Sequence, residues 1–134
     1  HPGLFSGAAN GKGPALGNVL HYEASNGRST ISQMAVCPVL GQCSNLPVKF
    51  TSTTERIYLT FYGSGFRNRT ALNNVQVTIN GVSAPVQYAG PQAAYPGMDQ
   101  LNVELPRSLA GAGTVTVQLT VDGQPANAVT LFLE

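Results

Sequence analysis

The chain has 134 residues, 43% of them hydrophobic and only 10% charged, with a formal net charge of +1. Such a length favours one domain and buries about two thirds of the unfolded surface, enough for a real core. Low net charge with ordinary apolar content excludes a disordered chain, and the near-neutral field gives no reason to expect nucleic acid or an anionic membrane as a partner. No run approaches the roughly 20 apolar residues of a membrane helix, so membrane insertion is not expected.

The start, His1-Pro2-Gly3, has neither an initiator Met nor a signal-peptide pattern and reads as a piece cut from a larger precursor. "GPALGNVLHYEAS" predicts a strand over about Ala15 to Tyr22, and "NGRST" a turn. "ISQMAVCPVLGQCSNLPVKFTSTTE" is apolar but irregular, with one strand predicted on each side of the two cysteines. From there the period-two alternation is clean. The inward sets are Ile57, Leu59 and Phe61; Val75, Val77 and Ile79; Leu101, Val103 and Leu105; Val115, Val117, Leu119 and Val121; and Val129, Leu131 and Leu133. One apolar and one polar face per strand is the pattern of antiparallel sheets packed on one side.

The turns are explicit. Asn80-Gly81 and Asp122-Gly123 are two-residue hairpin signals. They predict pairing of Val75–Asn80 with Ala84–Ala89, and of Thr114–Val121 with Asn127–Leu133. Pro85 and Pro106 belong at strand starts, edges or ends, because neither can donate to a ladder. "AGPQAAYPGMDQ" is too long for an ordinary hairpin connection. It is expected to cross from one sheet to the other, with Tyr95 and Met98 pinning it over the sandwich end, and it stays a candidate contact loop. "RSLAGAG" holds one helical turn at most. These segments give an all-β, immunoglobulin-like antiparallel β-sandwich of about seven to nine strands, with residues 1–134 as a single domain.

Cys37 and Cys43 flank "PVLGQ". A disulfide is the first reading and two buried free thiols the second. His1 and His21 are too few to complete a zinc site. A disulfide would imply export to an oxidising compartment.

Catalytic signatures are not found. The acids Glu23, Glu55, Asp99, Glu104, Asp122 and Glu134 are far apart in sequence, unlike paired hydrolytic carboxylates. "YGSGF" lacks the spacing of a nucleophile elbow, and His21 reads as a sheet-surface or edge histidine. "NGKGPALGN" departs from a phosphate loop after Lys12 and leads into a strand. Asp99 and Asp122 offer at most a weak calcium site with loop carbonyls. Arg67 and Arg69 read as solvated loop arginines around Asn68, which matches a glycosylation acceptor. No catalytic, cofactor-binding or metal-binding residue is therefore expected.

A binding function remains. Tyr58 and Tyr62 share the polar face of one strand, about 13 Å apart along it. With Tyr95 they suit stacking of sugars, although the sequence has no Trp, the best stacking residue. The candidate contacts are Tyr58, Tyr62, Tyr95 and Met98.

"PGLFS", "NGKGPAL", "IYLTFYGSGF", "VTINGVSAPVQYAGP", "MDQLNVELP" and "GTVTVQLTVDGQPANAVTL" together resemble a C-terminal domain family that recurs in exported proteins of Solibacter-type Acidobacteria. This resemblance spans nearly the whole chain. Residues 55 to 133 also resemble the IPT/TIG immunoglobulin-like fold, through "G-x-G-F", "V-x-I-N-G", "L-x-V-x-L-P" and a final hairpin. The resemblances imply a non-enzymatic structural or interaction module at the C-terminus of a secreted or cell-surface bacterial protein. Its partners would be upstream domains of the same polypeptide, or a protein or glycan, with no cofactor. The alternative is a carbohydrate-binding module using the exposed tyrosines.

Overall fold

The computed structural model describes residues 2–7, 11–39, 42–67 and 70–134. In chain order the strands begin with β1 (Gly3–Leu4), β2 (Gly17–Glu23), β3 (Arg28–Gln33), β4 (Ala35–Val39) and β5 (Gln42–Asn45). Next come β6 (Pro47–Val48), β7 (Glu55–Ser64), β8 (Val75–Ile79), β9 (Val82–Ala84) and β10 (Val86–Pro91). The last are β11 (Asp99–Glu104), β12 (Gly113–Val121), β13 (Gln124–Pro125) and β14 (Val129–Leu133). Among the described residues nine strands reach five residues, the top of the expected range, and five shorter ones extend the ladders.

Two sheets pack face to face. The first runs β10-β11-β7-β2-β3, with β1 also on β7; the second runs β6-β14-β12-β8-β9, with β13 on β12. Strands β4 and β5 form a separate ribbon. The architecture is an all-β, immunoglobulin-like antiparallel sandwich. The alternation explains it: Ile57, Leu59, Phe61, Leu101 and Val103 of the first sheet are buried against Val77, Ile79, Val117, Leu119, Val129 and Leu131 of the second. Each such side chain contributes about 1.5–3 kcal/mol by leaving water. Phe66 and Met34, from outside the regular strands, fill the end of this core.

Both Asx-Gly turns form as expected. Asn80 and Gly81 have φ of 53° and 79°, and Asp122 and Gly123 have 49° and 80°, the left-handed pair that matches strand twist. Thr114 pairs with Phe132 and Val117 with Val129, the predicted final hairpin.

The path after the first turn differs from expectation. β8 pairs with β9 as far as Val77↔Ala84 and no further. At Pro85 the missing N–H ends that ladder. Its carbonyl already accepts the Glu104 N–H of the first sheet, at 3.0 Å. The sheet-to-sheet crossover is therefore at Pro85, not in "AGPQAAYPGMDQ". That segment closes a hairpin inside the first sheet, with Pro91 opposite Asp99. Its length is absorbed locally, because the Gln92 side chain accepts the N–H groups of Ala94 and Tyr95, and Gln92 N–H bonds Met98 O at 2.9 Å.

Candidate functional site

β2 pairs with β7 in register from Gly17↔Phe61 to Glu23↔Glu55. Because Val19 and Phe61 face the core, Asn18 and Tyr62 face outward, and Gln33 of β3, opposite Asn18, does the same. The Asn18 amide donates to the Tyr62 hydroxyl at 3.1 Å. Phe5 arrives alongside, its N–H bonded to Tyr62 O at 2.8 Å and its carbonyl to Leu16 N–H. Met98, from the β10–β11 hairpin, and Cys37, from the ribbon, complete a groove of about 470 Å³ at this end of the first sheet. Gly17 is required there: a Cβ would fall inside the Thr60 carbonyl oxygen.

The walls come from distant parts of the chain. The N-terminal arm is fixed by Asn127, whose Oδ1 accepts the Leu4 N–H at 2.8 Å and whose Nδ2 donates to Leu4 O at 2.8 Å and to Gly11 O. The ribbon is closed by a Cys37–Cys43 disulfide. It is tied to the sandwich through Asn45 Nδ2 to Thr130 Oγ1 at 3.3 Å and Leu46 N–H to Met34 O at 2.9 Å.

Of the expected contact residues, Tyr62 and Met98 meet in this groove. Tyr58 lies on the same face as Tyr62, half-buried, but lower down the strand, beside Leu20 and Glu104. Tyr95 stands at the tip of the β10–β11 loop, 61% exposed, and does not line the groove. Sequence reasoning missed Phe5, Asn18 and Gln33. The period-two alternation around Val19 was the available signal for Asn18. For Phe5 there was none, because its position depends on the arm's docking.

The opposite end of the first sheet is a polar lock. His21, expected at the sheet surface or an edge, lies on the core-facing side with Val19 and Glu23 and is 18% exposed. Its Nδ1 is 3.4 Å from Glu55 Oε1, and Ser32 Oγ is 3.5 Å from its Nε2. Burial alone would raise the Glu55 carboxyl. Hydrogen bonds from Thr51 N–H and Oγ1, with His21, outweigh it and hold the group below its ordinary value. Ser32 sits mid-strand opposite Val19, with no turn to present its oxygen as a nucleophile elbow does. Arg107 caps this end. It donates to Ser52 O at 3.1 Å and to Glu55 O, and stacks over Phe50 at 4.3 Å. In the 580 Å³ depression beside it, the Thr54, Glu55 and Arg107 side chains are already engaged in internal hydrogen bonds.

The remaining expectations resolve similarly. Asp99, 1% exposed, accepts from Phe66 N–H, Arg67 N–H and Arg67 Nε, the last at 2.6 Å, so Arg67 is anchored at its guanidinium while its side chain stays 39% exposed. Asp122 is occupied by Thr70 N–H and Oγ1. The two aspartates thus serve separate loops and do not share an ion site. Among the described residues no group of three His, Cys, Asp or Glu is placed to hold a metal. Asn68 and Arg69 lie outside the described residues.

No curated protein and no solved structure matches the chain. The IPT/TIG domain family model matches residues 44–132. That span holds β6 to β13 and β14 as far as Phe132, hence all of the second sheet but Leu133, and the β10-β11-β7 half of the first. Seven of the nine groove-lining residues, from Phe5 to Cys37, precede it. The two Asx-Gly turns, the two-sheet core and the family match agree: the chain belongs to the IPT/TIG domain family of immunoglobulin-like, non-catalytic interaction modules.

Proposed function

We propose that this chain is a non-enzymatic interaction module whose contact surface is the Phe5–Tyr62–Met98 groove. The observation that carries the reading is where the groove lies. It forms at the seam between the family's sandwich and the preceding segment, and it gathers aromatic rings and amides that the core does not need. Buried polar groups elsewhere are committed to internal bonds, whereas Gln33 stays exposed at the groove rim. Tyr58 extends the same face, whereas Tyr95 stands apart on its exposed loop and is not part of this surface.

The module belongs, in this reading, to a secreted or cell-surface bacterial protein, as one immunoglobulin-like unit at the C-terminal end of a longer chain. A disulfide persists in oxidising compartments. No helix among the described residues is long and apolar enough to cross a membrane. The resemblance to exported Acidobacteria domains supports a position after upstream domains. The test is retention of the labelled protein on the envelope fraction of its producing cells. Tyr62→Ala and Gln33→Ala, with unchanged circular dichroism, should each lose retention. Equal retention of both variants and the wild type would overturn the groove as contact surface.

A further inference from the structure

The groove's chemistry identifies a class of ligand. Among the described residues its lining holds no Asp, Glu, Lys, Arg or His. An anionic or cationic partner would surrender its hydration there with no counter-charge in return, which is costly. Its size, about 470 Å³, falls in the range of sites for small or chain-like ligands.

What the lining does offer is two aromatic rings, Phe5 and Tyr62, beside two amides, Asn18 and Gln33. Each amide both donates and accepts, so it pairs with a hydroxyl in either orientation. Aromatic faces take apolar C–H surface, and the Tyr62 hydroxyl already has a donor in Asn18 Nδ2. Beyond the groove the same outer face continues down β7 through Thr60 to Tyr58, with Asn102 of β11 opposite Thr60, and Leu20 of β2 and Glu104 of β11 flanking Tyr58, where Glu104 can accept from a sugar hydroxyl. A ligand with alternating apolar faces and neutral hydroxyls, long enough to run along a strand, fits this path.

We infer that the groove binds a neutral, linear oligosaccharide, seated on Tyr62 and Phe5, bonded by Asn18 and Gln33, and continuing along β7 towards Tyr58. The inference rests on the groove being the contact surface proposed above, and it names that surface's ligand. A charged glycan is disfavoured by the lining, and Tyr95 takes no part.

The experiment uses the full chain and four purified hexasaccharides: cellohexaose, xylohexaose, laminarihexaose and mannohexaose. Binding is followed by chemical-shift changes of the Asn18 and Gln33 side-chain amides. At least one sugar should shift both, and Tyr62→Ala should weaken its affinity about tenfold or more, the loss caused by ~1.4 kcal/mol. Gln33→Ala, on an exposed strand that tolerates change, should weaken it with the fold intact, and Tyr95→Ala should leave it unchanged. Silence of both amides with all four sugars overturns the inference. So does a shift that survives Tyr62→Ala and Gln33→Ala, or equal binding of an acidic hexasaccharide such as hexagalacturonic acid. Retention on the envelope without any hexasaccharide binding would refute the glycan and leave the interaction module standing. Absence of both would refute both.

Discussion

Glu23 closes the far end of β2 with hydrogen bonds from Ser52, Thr54 and Ser25, and these hold its carboxyl down at about 2. Glu55 beside it is also lowered. In acid the unfolded chain therefore binds more protons than the folded one, and stability rises with pH. The contribution is complete above the unfolded value of about 4.3. It is lost as pH falls through the folded values, about 2 for Glu23. The urea midpoint should drop steadily from about pH 5 to pH 2, and Glu23→Gln should flatten the lower part of that slope. An unchanged slope in the variant would mean the hydroxyl cluster is not what holds the carboxylate. At the groove end the corresponding residue is Asn127. Asn127→Ala leaves Leu4 N–H and Leu4 O without their partner, at a cost of about 1–3 kcal/mol. Amide exchange at Leu4 and Phe5 should accelerate, and the Phe5 wall of the groove should loosen with it.

The ribbon is the least supported element. β4 is exposed from Val36 onward, so its order depends on the disulfide and a few tethers. A ring this short is worth about 2 kcal/mol in the chain-entropy account. The double variant Cys37→Ser/Cys43→Ser should lose exchange protection in β4 and β5 while β12 keeps its own. Equal loss in all three strands would show that the ribbon folds as one unit with the sandwich. The β8–β9 hairpin shows how an element boundary was partly legible. Asn80-Gly81 announced the turn correctly. Pro85 was recognised as a strand end, but a missing N–H cannot say which sheet the chain joins next. That depends on β11 being free to accept β10, a partnership between segments about a dozen residues apart whose own alternation is consistent with either sheet.

For the whole molecule, the segment before residue 44 completes the sandwich. β2 covers the edge of β7 over seven register pairs, and β3 becomes the new edge. All six β3 residues are exposed, including Ile31 at 72%. Short, polar edges such as "RSTISQ" resist pairing with another chain better than the Ile-, Leu- and Phe-bearing β7 would. A chain truncated to residues 44–134 should therefore self-associate through β7. Light scattering after size-exclusion chromatography would detect it, and a stable monomer would show that the family-matched part has another way to protect that edge.

The sequence by itself determined the regular strands from Glu55 onward apart from the break at Pro85, their inward faces, both Asx-Gly turns and the fold class, since alternation and turn chemistry are local and depend on residues within a few positions of one another. It also offered Tyr58, Tyr62, Tyr95 and Met98 as candidate contacts, of which Tyr62 and Met98 meet in the groove. Tertiary structure alone decided that these two share a groove with Phe5, Asn18 and Gln33, that Tyr95 stands apart, that Pro85 is the crossover, and that His21 faces Glu55. Each of those depends on which distant strands pair and where the arm docks. Those choices are fixed by burying the common core and satisfying backbone donors across the whole chain, and no single segment records them.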